Sequence, residues 1–513
     1  MEKLKFRFVN SNLDSGFRQN DKYILMTILK TSWPFIVLAV LAFTVHLAFL
    51  SYPAQVVFDE VHFGKFVAAY STGQYYFDIH PPLGKLMIAG FAKLAGLNPV
   101  FDFEHIGEQA PANFFFILRF LPAFFGGLFV LAFSWLAYLI SRNKTAALLA
   151  GFLILLDNAF LVQSKFILVD IFMLFFEVLC FCFFFLWQRQ KSFSAKWWNY
   201  LILTAIFFGL TISIKWTGLA TIGIIGVVLL AKIFSEKLAN YLSPQNYLLP
   251  ERPATIHKDK FAAIWKKTFR WLKLKEALIG LPIILIFGFF IYALPFILHF
   301  QLLSHSGTGD AFMSQQFQQE LKYGSQNYEK PLTFWQKFSE LNKTMFTANA
   351  NLTAKHPFGS RWYAWPLDHK AVYYWNSDAP QSSAKIYLVG NPIIWWLSAV
   401  LTLFLIIRLL SKKGRKETEP IFYILILAYL ASLLPFILVK RVAFLYHYLP
   451  PATFAVLLFS LWLNKLWRTD KIFVSFLITL AVIAFVLLAP FSYGLSLPPA
   501  MNNFELRLIQ FFN

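Results

Sequence analysis

Eleven stretches of mostly apolar residues recur along this 513-residue chain, and they constrain its fold more than any other feature. They fall near 24–50, 114–140, 145–163, 166–187, 199–214, 216–235, 277–299, 391–410, 420–439, 447–464 and 472–490. A run of about 20 such residues crosses a bilayer as a helix. Backbone groups in lipid must satisfy one another, so serial runs of this kind make a helical membrane protein. The third to sixth runs are closely spaced and are expected to be short, tilted or broken. Charged residues are 14% of the chain, against about 25% in soluble domains. That shortfall excludes an ordinary soluble enzyme.

The net charge of +20 does not point to nucleic acid, because the bases sit in short clusters between apolar runs. Lys3, Lys5, Arg7, Arg18 and Lys22 precede the first run; others stand at Arg142 and Lys144, 189–196, 236–276, 412–416 and 465–471. With eleven spans and a cytoplasmic N-terminus, every one of these clusters falls inside, as the positive-inside rule requires. The first run reads as a retained anchor. Cys180 and Cys182, two apart in one apolar run, face different sides of a helix and read as buried thiols. The same count leaves 51–113, 300–390 and the tail after 490 outside. The first two far exceed ordinary connections, which favours a functional role. In the basic segment 236–276, Ile264, Trp265, Phe269, Trp271, Leu272 and Leu274 alternate with bases, as in a helix lying on anionic lipid. No internal repeat or appended soluble domain is visible.

The first outer segment carries the candidate chemistry. Asp59 and Glu60 follow directly on a span. Low-dielectric surroundings disfavour carboxylates. Two adjacent acids there read either as a solvated helix start favoured by the dipole or as a general base, a metal ligand, or both. The stretch Phe77-Asp78-Ile79-His80-Pro81-Pro82-Leu83-Gly84-Lys85 follows. Its prolines fix the backbone, and Asp78 and His80, two apart in extended chain, face the same side. An acid, an imidazole and a base on a rigid turn suit a phosphate-bearing substrate.

These two stretches strongly resemble the first lumenal loop of protein O-mannosyltransferases, membrane glycosyltransferases of the GT-C type. The resemblance continues through Leu118-Arg119 with Gly126-Gly127, Gln163 to Asp170, Ser213 to Gly218, His356 to Trp362, Gly390-Asn391-Pro392 with Trp395-Trp396, and Phe444 to Pro450. Lys165 stands where the family pattern has Arg, and so keeps the charge without the bidentate fork. The segment 300–390 is too short for the β-trefoil module of eukaryotic members, so the likeness is to the shorter bacterial branch. The implied architecture is one all-α GT-C domain over 1–513 with about eleven spans, in a bacterial plasma membrane.

The resemblance further implies inverting transfer of mannose from a polyprenyl-phosphate donor to Ser or Thr hydroxyls of an exported polypeptide. Asp59 is the expected base, and Glu60 orients the acceptor or shapes an acidic pocket. Arg119, above all, with His80, Asp78, Lys85, Lys165, Lys215, Arg361, Arg441 and His447, is expected around donor phosphate and sugar. Each base has the blander reading of a snorkelling helix-end charge, and His447 that of a structural histidine. The displacement is expected to need no cofactor; a divalent cation on Asp59 and Glu60 is left open. No zinc spacing occurs. Trp335, Phe338, Leu341 and Met345 lie at helical spacing, as in a helix resting on the outer leaflet. Asn342 and Asn351 begin glycosylation sequons, without consequence in a bacterial membrane. The partners expected are the lipid donor, the polypeptide, membrane lipid and a second subunit, but no nucleic acid. Another sugar or a glycolipid acceptor is the nearest alternative; a transporter is remote, since repeats are lacking and the acids sit in an outer loop.

Overall fold

The computed structural model describes residues 32–242, 258–324, 328–351, 355–377, 384–496, 507 and 510–512, with the side chains of 258–269 left aside. The N-terminal bases, the side chains of Ile264, Trp265 and Phe269, and the sequon residues 352–353 lie outside this description.

In chain order the helices are α1 (Ser32–Leu47), α2 (Glu60–Thr72), α3 (Leu83–Leu94), α4 (Ala112–Ser141), α5 (Lys144–Leu155), α6 (Asn158–Lys165), α7 (Asp170–Gln188), α8 (Ala195–Ile212), α9 (Ala220–Phe234), α10 (Glu236–Leu242) and α11 (Lys258–Leu302). There follow α12 (Gln315–Tyr323), α13 (Phe334–Asn351), the strands β1 (Val372–Asn376) and β2 (Lys385–Leu388), and α14 (Pro392–Leu410), α15 (Lys412–Glu417), α16 (Pro420–Leu433), α17 (Leu449–Trp467) and α18 (Lys471–Tyr493). Among the described residues nine helices are long and apolar enough to cross a membrane, ten if the bent pair α5–α6 counts as one span. Helix α1 is shorter. All eleven predicted runs therefore have helical counterparts.

Local chemistry explains the breaks. The third run bends by 62° between α5 and α6. There Asp157 caps α6, its Oδ1 accepting from the amides of Ala159 and Phe160. Pro392 and Pro420 open α14 and α16, where a missing N–H costs nothing. The basic segment differs from expectation. Its helix is not separate but runs unbroken through the next span as α11, 45 residues long, because neither Gly nor Pro interrupts 258–279. Small residues let helices approach closely: a Cβ on Gly126 of α4 would lie 2.4 Å from His46 of α1.

The two long outer segments interlock. The first, 48–111, holds α2 and α3, and the second, 303–391, holds α12, α13 and the antiparallel pair β1–β2, in which Tyr373 faces Tyr387. The Tyr75 amide donates to His305 O at 2.8 Å and the Phe58 amide to Tyr374 O at 3.0 Å. Residues far apart in sequence thus frame one site at the ends of α7, α8 and α17.

Candidate active site

The site begins with a strained residue. Phe58 has φ +44°, a conformation disfavoured for a bulky side chain. Its ring stacks on Tyr374 at 4.1 Å between centroids, and its amide bond to the same residue holds the turn. This aims Asp59 at the start of α2, where its side chain makes no capping bond. No other hydrogen bond reaches that carboxylate among the described residues. Burial pushes its pKa up to about 7, an effect that Lys215 opposes and that Asp170 and Asp78 add to. A carboxyl balanced near neutrality suits a general base.

Glu60 has a different fate from its neighbour. It is fully buried and paired with Arg119: Nε donates to Oε1 at 2.8 Å and Nη2 to Oε2 at 2.7 Å. It also accepts from the amides of Val57 and Ile167. The remaining Arg119 donors go to the carbonyls of Leu50, Pro53 and Gln55. All five guanidinium N–H groups are therefore used inside the protein. This corrects two expectations: Arg119 has no donor left for a phosphate, and Glu60 faces no acceptor. The pair ties the first outer segment to α4 and to the start of the 166–169 turn.

An open cleft lies beside this frame, lined by Ile79, His80, Asp170, Met173, Lys215, Trp216, Thr217, Asn349, Arg441, Tyr446, His447 and Pro450. Lys215 sits in extended chain between α8 and the short 3₁₀ turn Trp216–Leu219. Its Nζ donates to Asp170 Oδ1 at 2.7 Å and lies 5.4 Å from the Tyr446 ring centroid. Asp170 Oδ2 accepts from Gln163, whose Oε1 accepts from the Tyr374 hydroxyl at 2.6 Å. One chain of bonds thus joins Lys215 to the residue that supports Phe58. Arg441 makes no ion pair among the described residues, and burial lowers its pKa; a guanidinium stays charged at neutral pH regardless. Burial, with the charges of Lys215, Lys85 and Arg441, holds the His80 imidazole well below its usual pKa, so His80 offers a neutral ring. The His447 ring meets the Phe444 backbone through Nδ1 at 3.1 Å and stacks on Tyr446.

The other predicted donor residues stand elsewhere. Lys85 pairs with Asp78 and donates to His80 O at 2.8 Å. Both line a narrower neighbouring cavity that shares His80, so they brace the Pro-Pro turn rather than line the cleft. Lys165 is buried, donating to Ala48 O with its Nζ 4.5 Å from the Tyr493 ring. Arg361 is exposed and lines neither cavity. The cleft residues Asp170, Asn349 and Tyr446 were not among the predicted site residues. Asp170 closes the Gln163 to Asp170 stretch and Tyr446 lies in the Phe444 to Pro450 stretch; both stretches carry the family resemblance, which was the signal for both residues; Asn349 carries none. A cation shared by Asp59 and Glu60 does not fit, since both Glu60 oxygens are held by Arg119 and backbone amides.

A family model described as dolichyl-phosphate-mannose-protein mannosyltransferase matches residues 36–304. The chain belongs to this protein O-mannosyltransferase family. A second family model, the C-terminal four-span region of protein O-mannosyltransferase, matches residues 334–510. Among curated relatives, dolichyl-phosphate-mannose–protein mannosyltransferase 4 of Candida albicans is 34% identical over 279 residues, covering 53% of this chain and 33% of the relative. Mannosyltransferase 1 of Saccharomyces cerevisiae is 31% identical over 286 residues, covering 56% of this chain and 32% of the relative. The matched part thus spans about a third of these relatives. The S. cerevisiae Pmt1-Pmt2 complex bound to the sugar donor superposes with a TM-score of 0.77 at 19% identity, over 91% of this chain and 90% of that one. The likeness shows the fold, a mostly helical membrane protein of the GT-C type.

Proposed function

We propose that this protein O-mannosyltransferase family member transfers mannose from a polyprenyl-phosphate donor to a Ser or Thr hydroxyl of an exported polypeptide. The observation that carries the reading is the setting of Asp59: a carboxyl with no hydrogen-bond partner among the described residues, its pKa raised to about 7 by burial, next to a cleft edged by Lys215 and Arg441. In one in-line displacement the acceptor oxygen bonds the anomeric carbon as the bond from that carbon to the phosphate oxygen breaks. The acceptor proton passes to Asp59, and the electron pair leaves with the phosphate. Lys215 and Arg441 face that growing negative charge from a partly buried wall, so each is worth more than in bulk solvent. His80 supplies a neutral ring, and the His447 ring lines the cleft with it. Nothing in this sequence of events calls for a metal.

The distribution of bases supports an extracytoplasmic site and a cytoplasmic N-terminus, in a plasma membrane of the bacterial kind. A single catalytic domain made of the spans and both outer segments, and a paired assembly like the Pmt1-Pmt2 complex, complete the reading. The test is purified protein with polyprenyl-phosphate-mannose and a Ser/Thr-rich peptide, read by mass spectrometry beside other sugar donors and a glycolipid acceptor. Peptide heavier by one hexose from the mannose donor supports the proposal. Transfer only from another sugar, or only to glycolipid, overturns it.

A further inference from the structure

Asn349, near the C-terminal end of α13, touches the cleft from the second outer segment. Its Nδ2 donates to two backbone carbonyls, Ile79 O at 3.0 Å and Met345 O at 3.0 Å. Both partners only accept, so the amide has one sensible orientation; a flipped Oδ1 would face two carbonyl oxygens. The remaining polar atom, Oδ1, accepts no hydrogen bond among the described residues, and it is not sealed from solvent. It is thus an oriented acceptor at the cleft wall. Acceptors do not recognise phosphate oxygens, which are acceptors themselves; they recognise hydroxyls.

Two features hold this oxygen in place. Helix α13 is seated on α11 by Phe338, which packs edge-on against Phe296 at 4.9 Å, and Asn342 accepts from the Tyr292 hydroxyl. At the other end, the bond to Ile79 O fixes Asn349 to the residue before His80. Rigid support of this kind lets one polar atom discriminate. Asn349 lies along the cleft wall with Arg441, Lys215 and His447, on the phosphate side, whereas Asp59 is not part of that lining. The hydroxyl-bearing group next to the phosphate is the donor sugar.

We infer that Asn349 is a specificity-determining residue whose Oδ1 accepts a hydrogen bond from one hydroxyl of the donor hexose. This rests on the proposed transfer from a lipid-phosphate sugar. It is tested with purified full-length protein, a fixed peptide acceptor, and polyprenyl-phosphate-mannose beside its monodeoxy counterparts, each lacking one hydroxyl. In the wild type one monodeoxy donor should lose about five- to tenfold in kcat/KM, the range of a neutral hydrogen bond. In Asn349→Ala the same donor should lose less than about twofold relative to mannose. Phe338→Leu, which loosens the seat of α13 against Phe296, should slow all donors alike and keep the discrimination. If Asn349→Ala does not fold, Asn349→Ser, which lacks the reach, is expected to show the same loss of selectivity. Equal penalties in wild type and variant for every monodeoxy donor overturn the inference. If the wild type transfers no mannose, the functional proposal fails by itself, and the deoxy series of whichever sugar it does transfer still decides the role of Asn349.

Discussion

At the scale of single residues, two adjacent acids, Asp59 and Glu60, stand in opposite surroundings because their partners differ. Asp59→Asn should lower turnover by at least about a hundredfold, the usual worth of a general base, while leaving donor binding within about twofold; wild-type turnover in this variant removes Asp59 as the base. Its pKa of about 7 also fixes a pH profile. Burial raises the value, so the group is protonated and inactive below that pH and ionised above it. The logarithm of kcat/KM should climb with unit slope below about pH 7 and flatten above, and a flat wild-type profile across that range counts against the assignment. The residue Arg441 tests the cleft: Arg441→Ala should raise KM for the lipid donor about tenfold or more, as expected for loss of a charge-assisted bond. An unchanged rate at limiting donor excludes phosphate contact. That Asp59 and Glu60 mattered could be read from their place beside a span. Which of the two was free could not, since Arg119 reaches Glu60 from 59 positions away.

At the scale of elements, the Glu60–Arg119 pair is a staple between the first outer segment, α2 and α4. Removing one partner leaves a buried charge without compensation, which costs about 3–5 kcal/mol. Arg119→Ala should therefore lower the thermal unfolding temperature in detergent markedly, and Arg119→Lys should rescue little, because an ammonium cannot make five divergent bonds. A variant with normal stability and a selectively raised donor KM would instead restore the phosphate role expected from the sequence. The elements themselves were largely legible. Apolar runs of bilayer length gave the spans, and the crowding of the third to sixth runs foretold the bend at Asp157. The continuity of α11 was not foreseen, because its charged first half reads as a separate surface helix until the absence of any breaker is weighed.

At the scale of the molecule, the two outer segments form one frame, and the described basic turns at 142–144, 189–196, 412–416 and 465–471 stand at the opposite ends of the helices. Sidedness is measurable with a membrane-impermeant maleimide, because Cys180 and Cys182 are buried and give little background. Ser306→Cys, exposed in the second outer segment, should label in intact cells, and Ser411→Cys, before the basic α15, only after lysis. The reverse pattern would invert the proposed topology.

Sequence alone determined the membrane class, the spans, the family likeness and the segment that bears Asp59 and His80. These depend on hydropathy and on short contiguous motifs, both local properties of a chain. Tertiary structure decided which charges reach the cleft. Arg119, Lys165 and Lys85 looked like Lys215 and Arg441 in sequence, yet the first three turn to carbonyls and carboxylates away from the cleft. Of the predicted cations only Lys215 and Arg441 line the cleft, with His80, His447 and the unanticipated Asp170, Tyr446 and Asn349 among its polar residues. Whether a buried cation is available to a ligand depends on which acceptors the fold places around it, and those acceptors come from every part of the chain.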